Sequence, residues 1–217
     1  IHDIPRLRIA RSDLLLACKM MACLHDDGCI VAVSYAVRDK LVRYFKVDPG
    51  RIVVVPNGVD LHTITRVSKK ASGEGRMGSF KLVYVGRLVR SKNVDHIFLA
   101  LKHLDEMGYK ITLDVIGSGK KLHHLQELSV RLGLDESVNF LGFVDDKLAV
   151  YKHMARADLF VSPSTFEGFG ITLLESMAAG TPVVAYDLPA YHDFMKNHYN
   201  GMLVEPNNIT KLVHAIR

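Results

Sequence analysis

Short apolar segments rich in β-branched residues alternate along the chain with longer amphipathic segments. The short segments have the length and composition of buried strands, and the amphipathic ones have helical periodicity, as at Ile97, Leu101 and Leu104. This alternation predicts an α/β fold, a doubly wound, Rossmann-like parallel sheet covered by helices on both faces. The predicted strands are residues 29–33, 51–55, 81–85, 110–116, 137–141, 158–161, 182–185 and 201–204.

A polar, glycine-rich stretch at residues 68–79 interrupts the pattern and predicts a flexible linker loop over 61–80. Residues 1–60 before it hold two predicted strands, so we interpret them as a fragment of a second α/β domain. Residues 81–217 hold the remaining strands and form a nearly complete domain. Because the chain begins at Ile1 and stops within a helical pattern, we expect it to be a piece of a longer protein.

Composition narrows the class of protein. Of the 217 residues, 48% are hydrophobic and 24% charged, which is typical of a globular chain and argues against disorder. The net charge of +5 comes from dispersed residues, so we expect no nucleic-acid partner. Three cysteines, Cys18, Cys23 and Cys29, lack the spacing of a metal site and indicate a reducing, cytoplasmic compartment. The apolar run at 14–24 is too short to span a bilayer.

Glycines and two cations follow the strand at 81–85. Gly86 and Arg87 come directly after it, and Lys92 lies five residues further on. In a doubly wound sheet, ligands bind beyond the carboxyl ends of the strands. A planar guanidinium and a mobile ammonium suit the two phosphates of a diphosphate. Three further strands end in loops with glycines, at residues 117–119, 142–144 and 162–170.

The last of these loops opens a predicted helix at 171–179. Gly168 and Gly170 allow the backbone to approach a ligand, and the start of the helix favours an anion such as a phosphate. Glu175 lies in the second turn of this helix among apolar residues, where an unpaired carboxylate is costly to bury. Its two oxygens suit the two hydroxyls of a ribose.

Each feature also has a purely structural interpretation. The loop at 117–119 lacks the third glycine of the dinucleotide fingerprint and is consistent with a tight turn. Arg87 and Lys92 are consistent with solvated charges, and Glu175 would face solvent if its helix were rotated. The sequence contains no Asp-x-Asp pair, no GxxxxGK[ST] loop and no HExxH motif, so we expect no metal site and no P-loop chemistry.

Together these segments resemble a known family. Residues 167–175 have the Glu-x7-Glu pattern of family 4 retaining glycosyltransferases, which have the GT-B fold. The resemblance covers about residues 28–217. It implies that 81–217 are the C-terminal nucleotide-sugar-binding domain and that 1–60 are the end of the N-terminal domain with the interdomain linker. Further segments that resemble family motifs, in the same order, are 53–60, 85–92, 179–184 and 200–206.

The resemblance implies a role for each motif residue. Arg87 and Lys92 would hold the donor diphosphate and stabilise the leaving group, and Glu167 would contact the transferred sugar, so these three are the expected catalytic residues. Glu175 would bind the ribose, and the loops at Gly117 and at 143–144 would line the base. Together with Lys92, Arg87 and Glu167, the expected donor-binding set is Gly86, Gly117, Phe143, Val144, Gly168, Phe169, Gly170, Ile171 and Glu175.

The implied reaction moves a hexosyl group, with retention of configuration, from a GDP-, UDP- or ADP-linked sugar to a glycan or lipid-linked acceptor. It needs no metal and no other cofactor. One departure from the family pattern is Asn93, where glycine is common. Because the active site lies between two domains, we expect this chain to bind the donor but to be inactive alone. The full-length protein is expected in the cytoplasm, at the inner membrane face, and the apolar run at 14–24 is expected to promote self-association.

Two other classes stay open. One is a different GT-B enzyme, such as a nucleotide-sugar epimerase or a phosphorylase; the Glu-x7-Glu spacing argues against the first, and the lack of a recognisable pyridoxal-phosphate lysine motif argues against the second. The other is a non-catalytic nucleotide-binding or interaction module, which the sequence does not exclude.

Overall fold

The computed structural model describes residues 28–72 and 80–217. Contacts divide the chain into two compact units, Ile1–Pro56 and Asn57–Arg217. The described part of the first unit contains strand β1 (Ile30–Ala32), helix α1 (Tyr35–Phe45) and strand β2 (Ile52–Val54). The two strands pair in parallel, and a small core forms between them and the helix. Cys18, Cys23 and the apolar run at 14–24 lie outside the described residues.

The second unit is built on a six-stranded parallel sheet in the order β5-β4-β3-β6-β7-β8, which confirms the predicted doubly wound fold. The order reverses between β3 and β6, so a crevice opens there at the carboxyl ends of the strands. The elements of this unit are α2 (Leu61–Ser72), β3 (Phe80–Val85), α3 (Val94–Glu106), β4 (Ile111–Ile116), α4 (Leu122–Arg131), β5 (Val138–Gly142), α5 (Lys147–Arg156), β6 (Leu159–Ser162), α6 (Ile171–Ala178), β7 (Val183–Tyr186), β8 (Met202–Val204) and α7 (Ile209–Ile216).

Burial on both faces explains the short apolar runs of the sequence. Every residue of β6 and β7 is buried, as expected for central strands of a parallel sheet. Helix α3 buries Ile97, Leu101 and Leu104 at helical spacing and packs against α7. None of the helices in residues 28–72 and 80–217 is long and apolar enough to cross a membrane.

The linker predicted at 61–80 is wrong over its first part, because Leu61–Ser72 form helix α2. Ile64, Val67 and Ser68 are buried at helical spacing, and the helix packs against α5. Asp60 accepts a hydrogen bond from Thr63 N at 3.0 Å at the start of the helix. The polar composition of the segment concealed this apolar stripe. Residues 73–79 lie outside the described residues.

A buried carboxylate joins strands β3, β4 and β5 to helix α5. Asp114 on β4 is 3% exposed and accepts from Lys81 Nζ at 2.9 Å and from Asn139 Nδ2 at 3.1 Å. His153 Nδ1 on α5 lies 3.3 Å from its second oxygen. Burial opposes ionisation, but the hydrogen bonds from His153, Lys81 and Asn139 outweigh it and hold the pKa of Asp114 at about 2. The carboxylate is thus a structural charge, away from the strand ends.

Asn93 connects the two loops that flank the crevice. It follows the 3₁₀ turn Arg90–Lys92 with left-handed angles of φ 45° and ψ 45°, which asparagine tolerates better than most residues with a side chain. Its Nδ2 donates to Pro163 O at 3.0 Å and to Thr165 Oγ1 at 3.2 Å. Asparagine therefore provides the backbone geometry that glycine would give here and adds a tie between the β3 and β6 loops.

Substitutions at Asn93 should separate these two contributions. Asn93→Gly keeps the left-handed backbone but loses both side-chain hydrogen bonds, so we expect unfolding free energy to fall by about 1 kcal/mol. Asn93→Ala also strains the backbone and should cost about 1 kcal/mol more. Urea denaturation of both variants measures the difference. An alanine variant as stable as the unsubstituted chain would contradict this account.

Candidate functional site

Two adjoining cavities lie at the carboxyl ends of the strands, on either side of Val85, Gly86 and Arg87. The first has a volume of about 280 Å³ and is bounded by the loops after β3, β4 and β5. The second has a volume of about 170 Å³ and lies between the β3 and β6 loops and the start of α6. Both are built entirely by the second unit.

Close contacts between backbones form the first cavity. Gly86 N donates to Ile116 O at 3.0 Å, and Gly117 N donates to Gly142 O at 2.7 Å. A Cβ atom at Gly117 would lie 1.9 Å from Gly86 O, so only glycine fits between these loops. The opposite wall is apolar, and Phe143 stands at it with 72% of its surface exposed. Such a slot suits a flat, largely apolar group.

Charged groups line the second cavity. Lys92 Nζ donates to Glu167 Oε1, and the two side chains are only 13% and 18% exposed. Arg87 is exposed on the wall that both cavities share, and the described residues include no side-chain partner for its guanidinium. One cation is therefore neutralised within the protein, whereas the other is available to an anionic ligand.

The amino-terminal end of α6 faces the second cavity. Gly170 precedes the helix with φ 95° and provides no side-chain cap, and Ile171 and Thr172 line the cavity wall. The first amides of a helix lack partners within it, and the helix dipole adds positive potential at this end. A phosphate group in this cavity would therefore meet Arg87 on one side and the α6 amides on another.

Glu175 lies one turn beyond Thr172 on α6 and lines neither cavity. It is half-buried, and its Oε1 accepts from Tyr151 Oη of α5 at 3.2 Å. Burial raises the pKa of Glu175, whereas the Tyr151 hydrogen bond and the Lys147 charge act in the opposite direction. The preceding residue of α5, Val150, lines the first cavity. Glu175 therefore does not face solvent, as it would if helix α6 were rotated.

The structure brings most of the predicted site residues together. Gly86, Arg87, Lys92, Glu167, Gly170 and Ile171 line the second cavity, whereas Gly117, Phe143 and Val144 line the first together with Gly86 and Arg87. Gly168 and Phe169 line neither, and Phe169 is buried against Phe194 with ring centroids 5.1 Å apart. Residues that the sequence analysis did not single out are Tyr84, Ser162, Ser164 and Tyr151.

The described residues include no group of three or more histidine, cysteine, aspartate or glutamate side chains placed to hold a metal ion. For Tyr84 and Tyr151 the sequence offered no signal beyond an apolar period, because both rings are buried. Tyr84 lines the second cavity, whereas the hydroxyl of Tyr151 reaches Glu175. Tyr84 Oη donates to Arg87 O at 3.1 Å and so fixes the backbone that carries the free guanidinium.

Comparisons with known proteins agree with this geometry. Residues 67–217 match the family model described as glycosyl transferases group 1, and residues 6–63 match the one described as glycosyltransferase family 4. An uncharacterised glycosyltransferase of Methanocaldococcus jannaschii is 30% identical over 82% of this chain and 47% of the relative. A UDP-Gal:α-D-GlcNAc-diphosphoundecaprenol α-1,3-galactosyltransferase of Escherichia coli is 26% identical over 90% of this chain and 50% of its own length.

Solved structures show the same fold. HepE of Anabaena, in complex with UDP and glucose, is 25% identical with a TM-score of 0.79 over 100% of this chain and 59% of that one. WaaG, a glycosyltransferase involved in lipopolysaccharide biosynthesis, has a TM-score of 0.81 at 21% identity, over 97% of this chain and 59% of that one. The chain spans about half the length of the curated relatives it matches. Since the group 1 model covers well over half of its residues, the chain belongs to the group 1 glycosyl transferases, and its second unit has the Rossmann-like fold of the C-terminal half of GT-B enzymes.

Proposed function

We propose that this chain is the donor-binding part of a retaining, metal-independent glycosyltransferase that moves a hexosyl group from a nucleotide-diphosphate sugar. The observation that carries the proposal is the pair of cavities joined at Arg87, one apolar and one charged. A nucleotide sugar has the same division, because its base is flat and its diphosphate and sugar are anionic and polar. That HepE, a structural relative, is in complex with UDP and glucose supports UDP among the candidate nucleotides, with GDP and ADP as the alternatives.

The base occupies the first cavity, between the Gly117 loop and Phe143-Val144. The diphosphate lies at the wall that the two cavities share, where Arg87 and the amides of Ile171 and Thr172 are available. The sugar extends toward Glu167. The ribose lies between the base and the diphosphate, near Glu175. Its hydroxyls donate to the Glu175 carboxylate, which accepts a hydrogen bond from Tyr151 in the unliganded structure.

Transfer breaks the bond between the sugar carbon and the diphosphate oxygen, and the electron pair leaves with the diphosphate. Arg87 and Lys92 stabilise this developing charge, which is the part that a metal ion plays in other transferases. Lys92 must turn from Glu167 to do so. The acceptor oxygen then bonds the sugar carbon on the face that the diphosphate leaves and gives its proton to the departing diphosphate oxygen, so the configuration is retained.

The acceptor side of the enzyme belongs to a further domain. The relatives are about twice as long as this chain, and residues 1–60 are proposed to be the end of their N-terminal domain. The name of one relative includes a diphosphoundecaprenol-linked sugar as substrate, and that of another includes monoglucosyldiacylglycerol as the product of a synthase. Both names support a glycan or lipid-linked acceptor at the cytoplasmic membrane face. A non-catalytic nucleotide-binding module remains the second candidate, favoured only by this incompleteness.

Nucleotide binding tests the proposal directly. Calorimetric titration with UDP, GDP and ADP, in chelator and without metal, should show binding of at least one diphosphate. Arg87→Ala should weaken that binding roughly tenfold to a hundredfold, because a hydrogen-bonded charge is lost. Arg90→Ala removes an exposed arginine nearby that lines neither cavity and is the matched control. A folded chain that binds none of the three would overturn the proposal.

The role of Glu175 is tested with a deoxynucleotide. The unsubstituted chain should bind the nucleoside diphosphate about tenfold more tightly than its 2′-deoxy form, since one ribose hydroxyl then lacks its partner. In Glu175→Gln this preference should shrink, while affinity for the deoxy form stays nearly constant. Equal preference in both proteins would show that Glu175 does not contact the ribose.

Catalysis should require the further domain. We expect no transfer of labelled sugar from any donor that the chain binds, either to water or to added lipid acceptors. Binding of the same donor in the same sample shows that the chain is folded. Transfer by the chain alone, abolished by Arg87→Ala, would contradict the expected inactivity of the fragment.

A further inference from the structure

Tyr191 has a buried hydroxyl that nothing in the unliganded site uses. It ends the 3₁₀ turn Pro189–Tyr191 after β7, and its side chain is completely buried. Its Oη is the one buried side-chain polar atom without a hydrogen-bond partner among the side chains that the structure describes. Buried hydroxyls are almost always paired, so an unpaired one calls for a functional explanation.

Packing fixes the position of this ring against the site. A Cβ atom at Gly170 would lie 2.5 Å from Tyr191 Cε1, so the ring is pressed against the backbone that precedes α6. Phe194 packs on the ring at a tilt of 66°, with centroids 6.2 Å apart. The ring therefore has little freedom to turn its hydroxyl elsewhere.

The surroundings of the hydroxyl are those of the second cavity. Burial raises the pKa of Tyr191, and the nearby charge of Glu167 raises it further, whereas the hydroxyls of Ser162 and Ser164 act in the opposite direction. Glu167, Ser162 and Ser164 all line the second cavity. Tyr84, the tyrosine that lines this cavity, already donates from its Oη to Arg87 O. At neutral pH, Tyr191 is therefore protonated. Its hydroxyl lies near those of Ser162 and Ser164 and within range of the Glu167 charge, but it has no hydrogen-bond partner of normal geometry.

Glu167 needs a second donor as soon as a nucleotide sugar binds. In the unliganded site its carboxylate is neutralised by Lys92. When Lys92 turns to the diphosphate, a carboxylate that is only 18% exposed loses its counterion. An uncompensated charge at such a place is strongly unfavourable, and without another partner it would oppose donor binding.

We propose that Tyr191 is a positioning residue for Glu167, whose carboxylate it binds through Oη when Lys92 moves to the donor diphosphate. This inference rests on the proposed function, because the exchange of partners is driven by a nucleotide donor. No covalent bond changes: the ammonium passes from carboxylate to phosphate, and the phenol proton stays on Tyr191 as the donated hydrogen. The same contact would hold Glu167 in place toward the sugar.

The test is Tyr191→Phe in the 217-residue chain, which keeps the ring packed on Gly170 and Phe194. Affinities for UDP, GDP and ADP, and for UDP-glucose, GDP-mannose and ADP-glucose, are measured by calorimetry together with the thermal midpoint. We expect the midpoint to stay constant or to rise, because an unpaired buried hydroxyl is removed. Affinity for the nucleotide that binds should fall about tenfold.

A matched control separates this effect from loss of a buried hydroxyl in general. Tyr186 is equally buried on β7, but its Oη lies 2.7 Å from His96 Nδ1, outside both cavities. Tyr186→Phe should therefore lower the thermal midpoint and leave nucleotide affinity unchanged, the reverse of Tyr191→Phe.

A double-mutant cycle with Glu167→Gln decides whether the two residues are coupled. Without the carboxylate charge, adding Tyr191→Phe should change affinity by less than twofold. An equal loss with and without Glu167→Gln, no loss in either, or a Tyr191→Phe chain that does not fold would each overturn the role of Tyr191. None of these three outcomes would contradict the proposed function. The proposed function fails only if the unsubstituted chain binds no nucleotide.

Discussion

The parallel pairing of β3 with β6 is the constraint on which the site depends. Because the strand order reverses there, the loops after these two strands diverge from neighbouring positions and leave a crevice between them. Asn93 and the hydrogen bond from Thr165 N to Ser91 O, at 2.9 Å, tie the loops together below the crevice. Lys92 and Glu167, which are 75 positions apart in sequence, meet as a result.

The ion pair that forms at this meeting neutralises Lys92 in the unliganded site. A lysine that is only 13% exposed would be costly without a partner, so Glu167 stabilises Lys92 in the unliganded site. Arg87 requires no such partner because it is exposed to water. Under the proposed function, the two cations differ in what they require before the donor binds. Arg87 is already solvated, whereas Lys92 exchanges the carboxylate of Glu167 for a phosphate.

Much of this arrangement could be predicted from the sequence. The strands were predictable because central parallel strands are buried on both faces and form continuous apolar runs, as in β7. The motif positions of Arg87, Lys92 and Glu167 follow strand ends, and the topology brings strand ends together. Helix α2 was missed because its buried stripe, with Ile64 and Val67, is narrow within a polar segment. The hydrogen-bond partners of Asp114 could not be predicted from the sequence either, since they depend on the register of three strands.

Tyr191 marks the limit of such prediction and the reason for it. A single tyrosine in a loop belongs to no recognisable sequence motif, and its ring packs in the core as a phenylalanine ring would. Only the structure shows that its ring is packed on Gly170 and that its hydroxyl has no hydrogen-bond partner. In a fold whose buried polar groups are otherwise hydrogen-bonded, the unpaired groups tend to lie at functional sites. In the proposed exchange, Tyr191 gives Glu167 the hydrogen-bond donor that the carboxylate loses once Lys92 has turned to a phosphate.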